Sequence, residues 1–199
     1  MVLLWKTEYV QRGSNMTQMV MEFLVPETDW SPPTSFPDLT NQKEIAIDLE
    51  TCDPWLRSHG PGWACKDRGY IIGIAVATEG WRGYFPVAHT TGANLDKGVV
   101  RRWLQKQLDA PNAKIFHNAQ YDVGWLMAEG YTINGEIHDT MMAAPLLNEN
   151  EYSYSLNSLG KMYLDEVKDE TMLTEAAQIF GVDPKSEMYK LAPEYVGMY

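Results

Sequence analysis

The spacing of apolar residues changes character along this chain, and the changes mark its elements. Residues 44–51 alternate with a period of two, so that Ile45, Ile47 and Leu49 fall on one face of a strand and Asp48 and Glu50 on the other. A near-continuous apolar run at 70–78 and a further strand pattern at 81–87 follow, joined through Glu79-Gly80. Short connections among these three predict an antiparallel meander. After Asn94, a candidate N-cap, the period becomes helical: Leu95, Val99, Val100, Trp103, Leu104 and Leu108 recur on one face until Pro111 closes the run. Strand and helix then alternate, with a strand at 113–117, a helix at 120–129 ended by Gly130, a strand at 133–138, and a helix from Thr140 that Pro145 disturbs. Helices at 156–164 and 171–180 complete the pattern, the second stopped by Gly181 and Pro184. Strands first, then alternation, then helices predict an α/β layered domain with a mixed five-stranded sheet flanked by helices.

Ahead of this pattern the chain is weakly ordered by its own periodicity. Residues 1–24 show little repeat, and 25–39 hold Pro26, Pro32, Pro33 and Pro37, an extended lead-in laid over the surface. We divide the chain into an N-terminal arm and lead-in at 1–41 and a domain at 42–199. At 199 residues, 45% of them hydrophobic, one domain with a real core is the natural unit. The excess of 27 acidic over 16 basic residues argues against nonspecific nucleic-acid binding by a basic surface. It does not exclude an enzyme acting on nucleic acid, because carboxylates gathered around metal lower the net charge. Cys52 and Cys65 are too few for a disulfide framework and unsuited to zinc, which points to free thiols in a reducing compartment. The start has no export leader, no apolar run reaches the length of a membrane span, and a soluble cytoplasmic protein is expected.

Candidate chemistry begins on the first strand. Asp48 and Glu50 project together from a rigid element, and a hard divalent cation between them would relieve their repulsion; a solvated acidic face is the plain alternative. Asn118 and Asp122, four apart where a strand gives way to a helix, share one face aimed at the end of the sheet. They also suit a helix cap and a dipole partner. Asp139 is expected to cap the helix from Thr140. His59, His89 and His117 lack partners at ligand spacing and suit structural or surface roles. Trp63, Trp103 and Trp125 suit a core, and Arg101, Arg102 and Lys106 a solvated face.

Taken together, Asp48-x-Glu50 and Asn118-x-x-Tyr121-Asp122 resemble the first two motifs of the DEDD family of 3′-5′ exonucleases. With Asp48-Leu49-Glu50-Thr51, Gly60-Pro61-Gly62-Trp63, the run from His117 to Leu126 and Asp139-Thr140-Met141, the chain is similar to the proofreading domain of bacteriophage family A DNA polymerases from about Trp30 onward. The resemblance implies an RNase H-like fold and hydrolysis of a single-stranded or frayed DNA 3′ end by two divalent ions, Mg2+ or Mn2+, held about 3.5–4 Å apart. It implies that Asp48 anchors both ions, that Glu50 holds one and orients the attacking water, and that Asp122 holds the other. Thr51, Asn118 and Tyr121 would contact the terminal nucleotide, although Tyr121 also suits a core aromatic with a satisfied hydroxyl. Tyr199 would be the tyrosine of the third motif, Tyr-x-x-x-Asp; a register beginning at Tyr195 would put Tyr199 where the aspartate belongs. The first register expects the fourth carboxylate beyond the last residue, a truncated chain with one weakened metal site and impaired activity. The resemblance further implies a polymerase domain on the C-terminal side and, for a viral protein, the host cytoplasm. A free-standing exonuclease on DNA or RNA and a catalytically silent nucleic-acid-binding module are the rival readings.

Overall fold

Strand β1 (Glu44–Cys52) occupies the middle of the sheet because both of its edges find partners and both of its faces are covered. The computed structural model describes residues 26–65 and 68–199, so expectations placed on residues 1–25 lie outside it. β1 pairs antiparallel with β2 (Tyr70–Thr78), which continues through Gly80, at φ 75°, into antiparallel β3 (Trp81–Pro86). On its other edge β1 pairs parallel with β4 (Ala113–Phe116), and β4 with β5 (Ile137–Asp139). The order β3-β2-β1-β4-β5 is the RNase H-like mixed five-stranded sheet expected from the sequence. Between Glu50 and Thr51 the β1–β2 register shifts, leaving Ile72 as the extra residue of a bulge beside the two acids.

The alternation in β1 sorts its side chains as its sequence requires. Ile45, Ile47 and Leu49, each at most 5% exposed, face helix α2 (Lys97–Asp109) and helix α3 (Ala119–Ala128), whose Val100, Leu104, Leu108, Trp125 and Leu126 fill the same core. The opposite face packs Ile72 and Tyr84 beneath helix α6 (Thr171–Phe180) and the short helix α7 (Pro193–Val196), through Leu173, Ala176, Ala177, Tyr195 and Val196. A short helix α1 (Leu56–His59) and a 3-10 turn at Gly62–Ala64 follow β1; the turn lays Trp63 on α3, where a Cβ on Gly124 would sit 2.4 Å from the indole. Helices α4 (Thr140–Leu147, with Pro145 inside it) and α5 (Leu156–Leu164) complete the chain order. Cys52 and Cys65 are both free.

The structure corrects three local expectations. The N-cap of α2 is Asp96, whose Oδ1 accepts the Val99 N–H at 2.8 Å; Asn94 instead exchanges two hydrogen bonds with the backbone of His89. β5 is three residues long, not six, because the preceding stretch closes against the end of α2, with the Asn134 N–H donating to the Leu108 carbonyl. The lead-in, expected to lie over the surface, enters the core: Phe36 stacks on Phe85 at 5.5 Å, and buried Leu39 donates its N–H to Gln107. Packing therefore begins before residue 42. The basic face of α2 is solvated as expected: Arg102 and Lys106 are exposed, Lys106 pairs with exposed Asp38 at 2.8 Å, and Arg101 donates to the carbonyls of Glu129 and Gly130.

Candidate active site

Parallel pairing of β1 with β4 stops at Ala46–Ile115, so beyond it the outer edge of β1 has no strand beside it. Helix α3 starts there. Its Asp122, 3% exposed, turns Oδ1 to the Leu49 N–H at 3.2 Å and takes up the hydrogen bond that a continuing strand would have accepted. That bond draws the Asp122 carboxyl to the two acids that flank Leu49. Burial, and then the charge of Asp48, push Asp122 up to about 8. Glu50 is likewise pushed up to about 8, by burial first and then by Asp48, with Asp122 adding to it. Burial raises Asp48 also, against the pull of Lys168 and His117. Three carboxylates thus share one field, two from β1 and one from α3.

The predicted nucleotide contacts divide. Thr51 Oγ1 donates to the Tyr121 hydroxyl at 2.8 Å, and that hydroxyl donates to Asp53 Oδ2 at 3.0 Å. Asp53 Oδ2 also accepts the Gly62 N–H at 2.9 Å, so the turn after β1 holds the pair in place. Burial pushes the Tyr121 hydroxyl up to about 12, and its ring packs on the main core. Asn118 stands exposed at the start of α3 with φ 72° and no side-chain cap bond. The cap is Asp139: its carboxylate accepts the N–H groups of Asn118 and Ala119 at 3.0 and 2.8 Å and those of Met141 and Met142 at 2.9 and 3.3 Å. Burial raises Asp139, but these donors outweigh it and hold the carboxyl below its usual range. One side chain therefore caps α4, as expected, and α3 as well.

Tyr199 follows α7 and joins the acids through a residue that no spacing rule selects. Its hydroxyl accepts a hydrogen bond from Lys168 Nζ at 2.9 Å, and the charge of Lys168 reaches Asp48 and Glu50. Lys168 sits in a connecting loop with no periodicity to announce it. Of the histidines, His89 is buried between the Tyr84 hydroxyl and the Leu191 carbonyl, His117 bonds Thr140, and His59 is exposed beside Trp55. Trp103 and Trp125 are buried and Trp63 packs against the same core cluster, which agrees with their expected core role.

Among the described residues, no three His, Cys, Asp or Glu side chains stand close enough to hold a metal ion as they lie. The chemistry of the set nevertheless fits a hard divalent cation. Its donors are carboxylate oxygens on a strand and a helix, and burial together with their neighbours' charges raises their proton affinity, which a bound cation would offset.

Carboxylates gathered on the central strand of an RNase H-like sheet define a class of nucleic-acid-processing domains. The chain belongs to the 3′-5′ exonuclease family, whose model matches residues 34–191. Its relatives include a DNA-directed DNA polymerase of Pseudomonas phage M6, 35% identical over 188 residues that make up 89% of this chain and 28% of that protein. DNA polymerase DpoZ of Salmonella phage PMBT28 is 30% identical over 147 residues, 73% of this chain and 21% of that one. The chain thus spans less than a third of the length of either relative. Among solved structures, Brucella melitensis NrnC with bound Mg2+ overlaps at a TM-score of 0.49 with 16% identity, covering 77% of this chain and 76% of that one. No helix among the described residues is long and apolar enough to cross a membrane.

Proposed function

We propose that this domain is a divalent-metal-dependent 3′-5′ exonuclease that removes the terminal nucleotide from single-stranded or frayed DNA, proofreading for a polymerase in the same protein. The observation that carries the reading is the convergence of Asp48, Glu50 and Asp122: Asp122 bonds the Leu49 N–H between the two acids of β1, and burial raises all three, with the charge of Asp48 adding to the rise in Glu50 and Asp122. Asp48 and Glu50 would hold one cation, and Asp48 with Asp122 the other. When bound, such ions generate a nucleophilic water near neutral pH and stabilise the departing 3′ oxygen. Mg2+ suits the all-oxygen donors best, with Mn2+ as substitute.

The chain's own residues supply the rest. Glu50, on the rigid part of β1, is placed to accept a proton from the attacking water once its own proton is gone. Tyr199 presents a hydroxyl at the edge of the acids. The Thr51–Tyr121–Asp53 bonds keep an aromatic edge and a hydroxyl beside the site for the last sugar and base, with Asn118 exposed next to them. A mispaired terminus frays at little cost, so selectivity needs no reading of base identity. The host cytoplasm is the expected location.

A 3′-labelled single-stranded oligodeoxynucleotide tests the reading. Stepwise shortening with Mg2+ or Mn2+, none with EDTA, and none from Asp48→Ala is the expected result. The rival reading is a silent nucleic-acid-binding module. Undiminished oligonucleotide binding by Asp48→Ala, with no cleavage by the unaltered chain under any metal, would select that one.

A further inference from the structure

Between α5 and α6 the loop of residues 165–170 delivers a cation to the acids. Asp165 turns the chain with φ 55°, and the Lys168 N–H donates to Asn157 Oδ1 at 2.9 Å, so the loop folds back on α5. The Lys168 side chain is half-buried. Its ammonium lies 4.2 Å from the centroid of the Tyr199 ring while donating to the Tyr199 hydroxyl at 2.9 Å. An ammonium serving only as a counter-charge would close on a carboxylate, where a charge-assisted bond is stronger. This one is spent on a phenol. The two contacts together fix both the ring and the oxygen of Tyr199. Because ammonium only donates, the phenol oxygen must accept from it, which leaves the phenol hydrogen to be given elsewhere.

The geometry points to Lys168 as a positioning residue for the exonuclease reaction: it holds Tyr199 so that the hydroxyl hydrogen is presented to the water or phosphate at the acid cluster. This rests on the exonuclease reading given above. Lys168 acts through Tyr199 and needs no contact of its own with the reacting atoms. Misplacing one oriented group by an ångström costs roughly a hundredfold in rate, so the loss expected on removing Lys168 is about ten- to a hundredfold.

The test is a double-mutant cycle in the native protein, using a 3′-labelled single-stranded oligodeoxynucleotide with Mg2+. Lys168→Ala lowers kcat by about ten- to a hundredfold and leaves KM within about threefold, while Lys168→Arg recovers most of the rate. Lys168→Ala combined with Tyr199→Phe is no slower than Tyr199→Phe alone. A readout independent of turnover accompanies it. In protein carrying 13C at the lysine ε-carbons, one ε-methylene resonance is shifted by the ring, disappears in Lys168→Ala, and returns to the bulk position in Tyr199→Ala. Thermal melting of each variant within a few degrees of the parent excludes loss of fold.

Losses that add in the double variant, an unchanged kcat in Lys168→Ala, or no Tyr199-dependent lysine resonance would each overturn the assignment while leaving the exonuclease reading standing. An unaltered protein that fails to shorten the oligonucleotide with any divalent metal overturns both.

Discussion

At the scale of single residues the site is a balance of like charges. Glu50 and Asp122 both sit near 8, against ordinary values of 4.5 and 3.8. A carboxyl raised in the folded state stabilises the fold fully below its unfolded value and loses that contribution as pH climbs to its folded value. In EDTA the stability therefore falls between about pH 4 and pH 8, by on the order of a few kcal/mol in all, and the melting temperature falls with it. Added Mg2+ or Mn2+ reverses the loss at the alkaline end. A metal-free melting temperature that rises over this window would contradict the shared field. Asp122→Asn separates charge from shape, since the amide oxygen still accepts the Leu49 N–H. At pH 9 this variant is expected to be more stable than the parent in EDTA, by roughly 1–2 kcal/mol, and to lose metal-dependent cleavage by at least a hundredfold.

At the scale of elements, the helix starts at the open end of the sheet are tied to one carboxylate. Asp139 accepts N–H groups from the first turns of both α3 and α4. Asp139→Ala is expected to cost about 2 kcal/mol or more, the upper end for a lost cap, as read from denaturant midpoints. Asp139→Asn retains part of it. The bulge in β2 is equally specific. Gly73 lies opposite Glu50, and a Cβ there would stand 2.0 Å from the Tyr84 hydroxyl. Gly73→Ala must displace Tyr84, with it the buried bond to His89 and the C-terminal segment that His89 holds at Leu191. The expected loss is about 2–3 kcal/mol, and a neutral Gly73→Ala would mean that Tyr84 can swing aside freely.

At the scale of the whole molecule, charge decides how substrate arrives. A net charge of −11 leaves little to attract a duplex, and of the basic side chains of α2, Lys97 and Lys106 pair with Glu129 and Asp38 and Arg101 donates to backbone carbonyls. Binding must come from the end of the strand and the site itself. A mispaired 3′ terminus should be shortened at least about tenfold faster than a paired one, with a weak dependence on salt compared with a basic nuclease. Equal rates on paired and mispaired ends would remove the fraying argument. The relatives are DNA polymerases more than three times the length matched.

The sequence by itself determined the strands of the meander, both C-terminal helices to the residue, the two faces of β1, and the membership of the family, because each is written in spacings of two to four residues or in short contiguous motifs. It named Asp48, Glu50, Asp122 and Tyr199 but carried no sign of Lys168, which lies 31 residues from its phenol partner in a loop without period. Tertiary structure alone decided that Asp139 caps two helices, that Asn94 serves His89 rather than α2, that β5 stops at three residues, and that the lead-in enters the core. Local periodicity specifies which face of an element is apolar. Which polar groups meet across the open end of the sheet follows from where β4 stops and α3 begins, and that is set only when the layers pack.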